Sequence, residues 1–201
     1  MRVTFIGDSI TDAGRDRADP GSFGDGYVSL LAPGLIASGA TVRNLGIAGN
    51  RVADLAARWD AELMPTAPDL LTEFVGINEV WRRFDSDDPT PTAEFEEAYR
   101  RLLAQAVEAY APRLVLMEPY LLPVRAEQEG WLAELDDKRA AVARLAAEFD
   151  AALVPLQALL TAAAAGRDPA EFAPDGVHPT PAGSRVIADA WTAASSISDS
   201  R

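Results

Sequence analysis

The chain has 201 residues, a formal net charge of −13 and no cysteine. Disulfides, thiolate metal sites and a cysteine nucleophile are therefore excluded, and a field of that sign opposes nucleic-acid backbones and anionic membrane surfaces. No apolar run approaches the length of a membrane span, and the apolar start over residues 3–7 is shorter than a signal-peptide core, so a cytoplasmic protein with no nucleic-acid or membrane partner is expected.

Residues 3–6 read as a strand, followed by a polar, Gly-rich loop over 12–26. Residues 27–38 read as a helix, 42–45 as a second strand, and 52–63 as a second helix that Pro65 stops. A third strand spans 70–75. A loop rich in Asp and Pro runs over 84–91, where Thr90 and Pro91 read as an N-cap and a first helical position. Residues 95–110 are helical, with Phe95, Tyr99, Leu102, Leu103 and Ala106 on one face. Residues 114–117 form a fourth strand, 131–149 a long helix and 153–156 a short fifth strand. Residues 158–165 form a helix closed by Gly166. Thr180 and Pro181 open a last helix that reaches about residue 193, and 195–201 read as a frayed tail.

Strands alternating with helices imply parallel βαβ units. The expected fold is α/β: one domain over 1–201, with a three-layer α/β/α arrangement around a five-stranded parallel sheet of flavodoxin-like order. In such sheets the ligand site lies beyond the carboxyl ends of the strands. Four polar segments fall there: Gly7-Asp8-Ser9-Ile10-Thr11, then Asn44 to Asn50, then Gly76-Ile77-Asn78-Glu79, and Asp175-Gly176-Val177-His178-Pro179 before the last helix.

Ser9 sits at a strand-to-helix turn, and a serine hydroxyl needs a base to act as a nucleophile. His178 is the only histidine of the chain, hence the only imidazole available. Asp175, three residues earlier across Gly176, is spaced to hold the ring and to stabilise an imidazolium. The backbone N–H groups of Ser9 and Gly49 and the side-chain amide of Asn78 are three candidate donors to an oxyanion. Taken singly, each has a structural reading: helix cap, hydrogen-bonded histidine, turn glycine. Their convergence on one sheet edge favours the chemical one. The first segment lacks the second glycine of the G-x-S-x-G elbow, so an ordinary α/β-hydrolase signature is absent.

These four segments resemble, in order and spacing over the whole chain, the four motif blocks of the SGNH or GDSL hydrolases. The resemblance implies a nucleophile at Ser9, an oxyanion hole of Ser9, Gly49 and Asn78, and acid and base at Asp175 and His178. The third block is usually G-x-N-D; here Glu79 replaces the aspartate. Gly26-Tyr27-Val28, Gly49-Asn50, Val80-Trp81-Arg82 and Val177-His178-Pro179 are further similar to intracellular GDSL acetylxylan esterases. That similarity implies a small-molecule ester substrate, an O-acetyl group on a xylo-oligosaccharide or related sugar, with Trp81 as a stacking face and Arg82 orienting the ring. Tyr120 and Trp131 are weaker candidates to line the cleft, and Asp12 with Arg15 reads as a local ion pair.

Three other readings compete. A lysophospholipase or thioesterase of the same family would need a greasy groove, whereas the loops over 12–26 and 84–91 are polar. A metal-dependent phosphohydrolase would use Asp8, Asp12 and Asp175, but their spacing is not D-x-D and there is no P-loop. A binding protein that has lost catalysis would not need every motif residue. No cofactor or metal is expected, and homo-oligomerisation stays open.

Overall fold

The computed structural model describes residues 1–197. Five strands, β1 (Arg2–Gly7), β2 (Thr41–Gly46), β3 (Leu70–Phe74), β4 (Arg113–Met117) and β5 (Ala152–Val154), form one sheet in the order β2-β1-β3-β4-β5. Every pairing is parallel. The expected flavodoxin-like order is what forms. Eight α-helices occur among the described residues: α1 (Ser9–Asp12), α2 (Tyr27–Ala37), α3 (Val52–Arg58), α4 (Ile77–Ser86), α5 (Thr92–Tyr110), α6 (Leu132–Glu148), α7 (Leu156–Ala164) and α8 (Pro181–Ile197).

Strand residues alternate between two apolar layers, as a period of two requires. Val3, Phe5, Phe74, Val115 and Met117 face α2, α7 and α8, where Phe5 packs on Tyr27 and Trp191. Ile6, Leu71, Val75, Leu114 and Leu116 face α3, α5 and α6. Both faces of the sheet are thus covered, as expected of a parallel sheet.

Several boundaries differ from the sequence reading. The segment after β3 is helical through Ser86, so Phe84 lies on α4 and the loop starts only at Asp87. Ile77, Val80, Trp81 and Phe84 follow helical spacing, and the first two are buried. The second helix ends at Arg58, widens into a π turn over Trp59–Leu63 and closes in a 3₁₀ turn over Met64–Thr66, where Pro65 offers no N–H to continue it. Thr90 does not cap α5, whose N-cap is Pro91. Instead the Thr90 carbonyl and the Thr92 hydroxyl accept from buried Lys138 at 2.7 and 2.9 Å. Residues 126–131 form a 3₁₀ turn ahead of α6, and β5 stops at Val154 with α7 starting at Leu156. The last helix runs to Ile197, beyond the expected end near 193; the rest of the expected tail lies outside the described residues.

Two glycines decide how closely the first loop approaches the sheet. A Cβ on Gly7 would lie 2.7 Å from the Thr11 hydroxyl oxygen, and one on Gly46 would lie 2.2 Å from the Asp12 nitrogen. Helix α1 therefore rests directly on the carboxyl ends of β1 and β2.

One acidic residue breaks the apolar layer under α3 and α5. Glu73 of β3 is fully buried, and neither carboxylate oxygen has a protein partner. Burial drives its pKa well above the usual range, with Arg58 opposing. The folded chain then keeps a proton that the unfolded chain loses above about pH 4.5, so Glu73 makes stability fall as pH rises beyond that point. Glu73→Gln should therefore gain stability relative to wild type as pH rises, by up to about 1.4 kcal/mol per pH unit. Urea unfolding at several pH values from 5 to 8 checks this; a stability difference that does not change with pH would contradict it.

Candidate active site

The first loop places its polar residues by local capping. Asp8 is the N-cap of α1, and its Oδ1 accepts from the Ile10 N–H at 3.0 Å. Its Oδ2 is buried without a protein partner, and burial pushes the carboxyl up to about 7. Ser9 follows as the first residue of α1, partly exposed.

The segment before α8 meets it from the other side. Ser9 Oγ lies 2.8 Å from His178 Nε2, and His178 Nδ1 lies 2.6 Å from Asp175 Oδ2. The second oxygen of Asp175 accepts from the backbone N–H of Val177 and of His178, at 2.9 and 2.8 Å. Burial alone would raise the Asp175 pKa. The bonds from the ring and the two amides overcome it and hold the group well below the usual carboxylate range. The same bond to Asp175 raises the pKa of His178 above its ordinary value, against partial burial. An ionised Asp175 fixes the proton on Nδ1, which leaves the Nε2 lone pair facing the serine hydroxyl.

This segment is braced from the loop after β4. The Tyr120 hydroxyl donates to the Val177 carbonyl at 2.6 Å, the Leu122 N–H to the Gly176 carbonyl at 2.9 Å, and Gln128 Nε2 to the Asp175 carbonyl at 2.7 Å. Gln128 Oε1 in turn accepts from the Val124 and Arg125 N–H groups. Tyr120 is fully buried, so it braces the histidine segment and does not line a cleft.

The third approach comes from the segment after β2. Gly49 has φ +82°, the left-handed region that glycine enters without strain. Asn78 Nδ2 donates to the Asn50 carbonyl at 3.0 Å, which leaves its second amide hydrogen free of that bond. Ala48 N donates to Asp12 Oδ2 at 2.9 Å, and Arg58 donates to Asn50 Oδ1 at 2.8 Å and to the Gly7 carbonyl at 3.3 Å. Glu79, fully buried, accepts from the Val52 N–H at 2.7 Å. Burial pushes its carboxyl up to about 7.

The other sequence candidates fall as follows. Trp81 is partly buried, and its ring lies 5.8 Å from His178 and 5.9 Å from Trp131. Phe84 stacks on Trp131 at 5.2 Å and is itself exposed, so an aromatic row leads outward from His178. Arg82 pairs with Asp85 one helical turn on. The expected Asp12–Arg15 pair is replaced: Asp12 pairs with Arg17 at 2.8 Å, while Arg15 donates to the Gly46 carbonyl. The three carboxylates of the metal reading do not converge, since Asp8 caps α1, Asp12 pairs with Arg17 and Asp175 holds His178. Among the described residues no group of three His, Cys, Asp or Glu could hold a metal ion. No described helix is long and apolar enough to cross a membrane. Gln128 and Arg58 carry no signal in the sequence, because the contacts that give them a role join residues 47 and 51 positions apart.

A flavodoxin-like sheet with a hydrogen-bonded serine, histidine and aspartate at its carboxyl edge defines a class of serine-dependent hydrolytic enzymes. The profile of the GDSL-like lipase/acylhydrolase family matches residues 5–186. An acetylxylan esterase of Geobacillus stearothermophilus is 33% identical, covering 94% of this chain and 91% of that protein. The crystal structure of that organism's acetylxylan esterase Axe2 superposes with a TM-score of 0.88 at 33% identity, over 96% of this chain and 92% of the other. A putative GDSL-like lipase of Parabacteroides merdae gives a TM-score of 0.92 at 32% identity, over 98% and 95%. An alpha/beta hydrolase, LAE5, from the metagenome of Lake Arreo gives 0.88 at 34% identity, over 97% and 94%. The chain belongs to the GDSL-like lipase/acylhydrolase family and is a carboxylic ester hydrolase.

The bracing of the histidine segment has a measurable consequence. Tyr120→Phe leaves the Val177 carbonyl without its buried donor, at a cost of about 1–3 kcal/mol. Urea unfolding should show that loss at constant m-value; a variant as stable as wild type would mean that the bond does not hold the segment.

Proposed function

We propose that Ser9 is the nucleophile of an esterase reaction, with His178 as general base and then general acid, and Asp175 as the group that orients it. The observation that carries this reading is the continuous row from Asp175 Oδ2 to His178 Nδ1 at 2.6 Å and from His178 Nε2 to Ser9 Oγ at 2.8 Å. Ser9 Oγ attacks the ester carbonyl while its proton passes to Nε2. The carbonyl oxygen becomes an oxyanion that accepts from the Ser9 and Gly49 N–H groups and the Asn78 amide. Collapse breaks the bond to the alcohol, which leaves with the proton from Nε2. Water then attacks the acyl-serine, gives its proton to the same nitrogen and releases the acid, and Ser9 recovers its proton. The imidazolium formed twice in this cycle is stabilised by ionised Asp175, in keeping with the raised pKa of His178.

The proposed substrate is a short-chain ester, an acetyl group on a sugar hydroxyl such as that of a xylo-oligosaccharide. A pocket of about 220 Å³ adjoins Ser9 and His178 and is lined by apolar groups at Ile10, Ala13, Pro179 and Pro181 together with polar Asp25 and Ser184. A pocket of that mixed character suits hydroxyl-bearing ligands better than a fatty chain. Outside the lining of that pocket, the Trp81 ring beside His178 continues into Trp131 and Phe84. Aromatic faces of this kind stack on the apolar faces of sugar rings. The net charge of −13 opposes esters that carry a net negative charge.

An acyl-chain series tests the substrate class. Each methylene buried in a greasy groove is worth about 0.8 kcal/mol, so a lipase would gain steeply in kcat/KM from acetate to octanoate esters. This enzyme should lose over the same series. Trp81→Ala should impair acetylated xylo-oligosaccharides far more than a small aryl acetate. Faster hydrolysis of octanoate than of acetate would overturn the sugar-acetyl reading and favour the lysophospholipase or thioesterase one.

A further inference from the structure

The head of α4 grips the segment after β2 twice, with consecutive residues. Asn78 Nδ2 donates to the Asn50 carbonyl at 3.0 Å, and Glu79 Oε1 accepts from the Val52 N–H at 2.7 Å. Val52 is the first residue of α3, and only three positions separate it from Gly49. The Val52 N–H is one of the orphan donors of a helix start, and Glu79 supplies its acceptor from another element. Asp12 ties Ala48 to the first loop, and Arg58 ties Asn50 to Gly7. Those tethers set the segment against Ser9. The pair from α4 sets it against Asn78.

We propose that Glu79 is a positioning residue for the oxyanion donors: by holding Val52 to the head of α4, it fixes the spacing between the Gly49 N–H and the Asn78 amide. This rests on the oxyanion reading given above. Glu79 is fully buried and lies one residue beyond Asn78, so it acts through its neighbours and does not touch substrate. Only one of its oxygens is engaged, and the other has no protein partner. The contact therefore needs an acceptor at the reach of a glutamate side chain, and a glutamine carbonyl provides the same acceptor at the same reach.

The test is a double-mutant cycle on kcat and KM for a small aryl acetate, with active sites counted by organophosphate titration so that only folded enzyme enters kcat. Asn78→Ala should lower kcat by about 10²–10³ with little change in KM. Glu79→Ala should lower kcat by roughly 10–100-fold, also without a matching change in KM. The double variant should be within about threefold of Asn78→Ala alone, because the two residues act as a unit. Glu79→Gln should restore most of the lost kcat. Where Glu79→Ala yields few titratable sites, Glu79→Met, which keeps the length of the side chain and removes the acceptor, takes its place in the cycle. Effects that multiply in the double variant, a loss confined to KM, or a Gln variant as impaired as Ala would each overturn the positioning role. An unchanged kcat in Asn78→Ala would instead bring down the oxyanion reading beneath it.

Discussion

The first turn of α1 lies in van der Waals contact with the ends of two strands, and the rest of the site is arranged around that contact. No side chain fits between them: a Cβ at Gly46 would meet the Asp12 nitrogen at 2.2 Å, and one at Gly7 would meet the Thr11 hydroxyl oxygen at 2.7 Å. With α1 pressed down, Asn44 of β2 can donate to the Thr11 carbonyl at 2.7 Å, and Asp12 can reach the Ala48 N–H at 2.9 Å. Arg58 then spans from the Gly7 carbonyl to Asn50. Segments that are remote in sequence are thereby fixed to one another by side chains that carry no chemistry in the proposed reaction.

Burial and hydrogen bonding sort the carboxyl groups of this edge into two kinds. Asp8 and Glu79 each have one engaged and one unpartnered buried oxygen, and burial raises both to about 7. Asp175 accepts three hydrogen bonds, and these hold it ionised despite burial. The proposed mechanism needs this separation, because an imidazolium is stabilised by a charged neighbour and much less by a neutral one. The buried carboxyls lower stability as pH rises above their unfolded values, a cost borne by the large apolar layers on either side of the sheet.

Much of this was legible in the residues. The alternation of apolar runs marked all five strands, and three of the four polar segments follow their carboxyl ends. Residues three positions apart, such as Asp175 and His178, are joined by local geometry that spacing can anticipate. The sequence reading has no helix between the third strand and residue 84, because Glu79, Arg82, Arg83 and Asp85 obscure the helical spacing of Ile77, Val80, Trp81 and Phe84. The pairing of Asp12 could not be told from sequence either, since Arg15 and Arg17 are equally near in the chain and only the approach of β2 draws Arg15 away to Gly46. Gln128 and Tyr120 reach the histidine segment across 47 and 57 positions. Such contacts exist only once β4 has been laid beside β3.

The central claim is that Ser9 is the atom-bearing nucleophile on which these arrangements converge. Its most direct measurement is reaction with a fluorophosphonate, followed by intact mass and peptide mapping. The account predicts a single adduct on the peptide that contains Ser9, loss of esterase activity in step with labelling, and neither label nor activity in a folded Ser9→Ala variant. An adduct on another residue, or a Ser9→Ala protein that still hydrolyses acetyl esters at the wild-type rate, would contradict it.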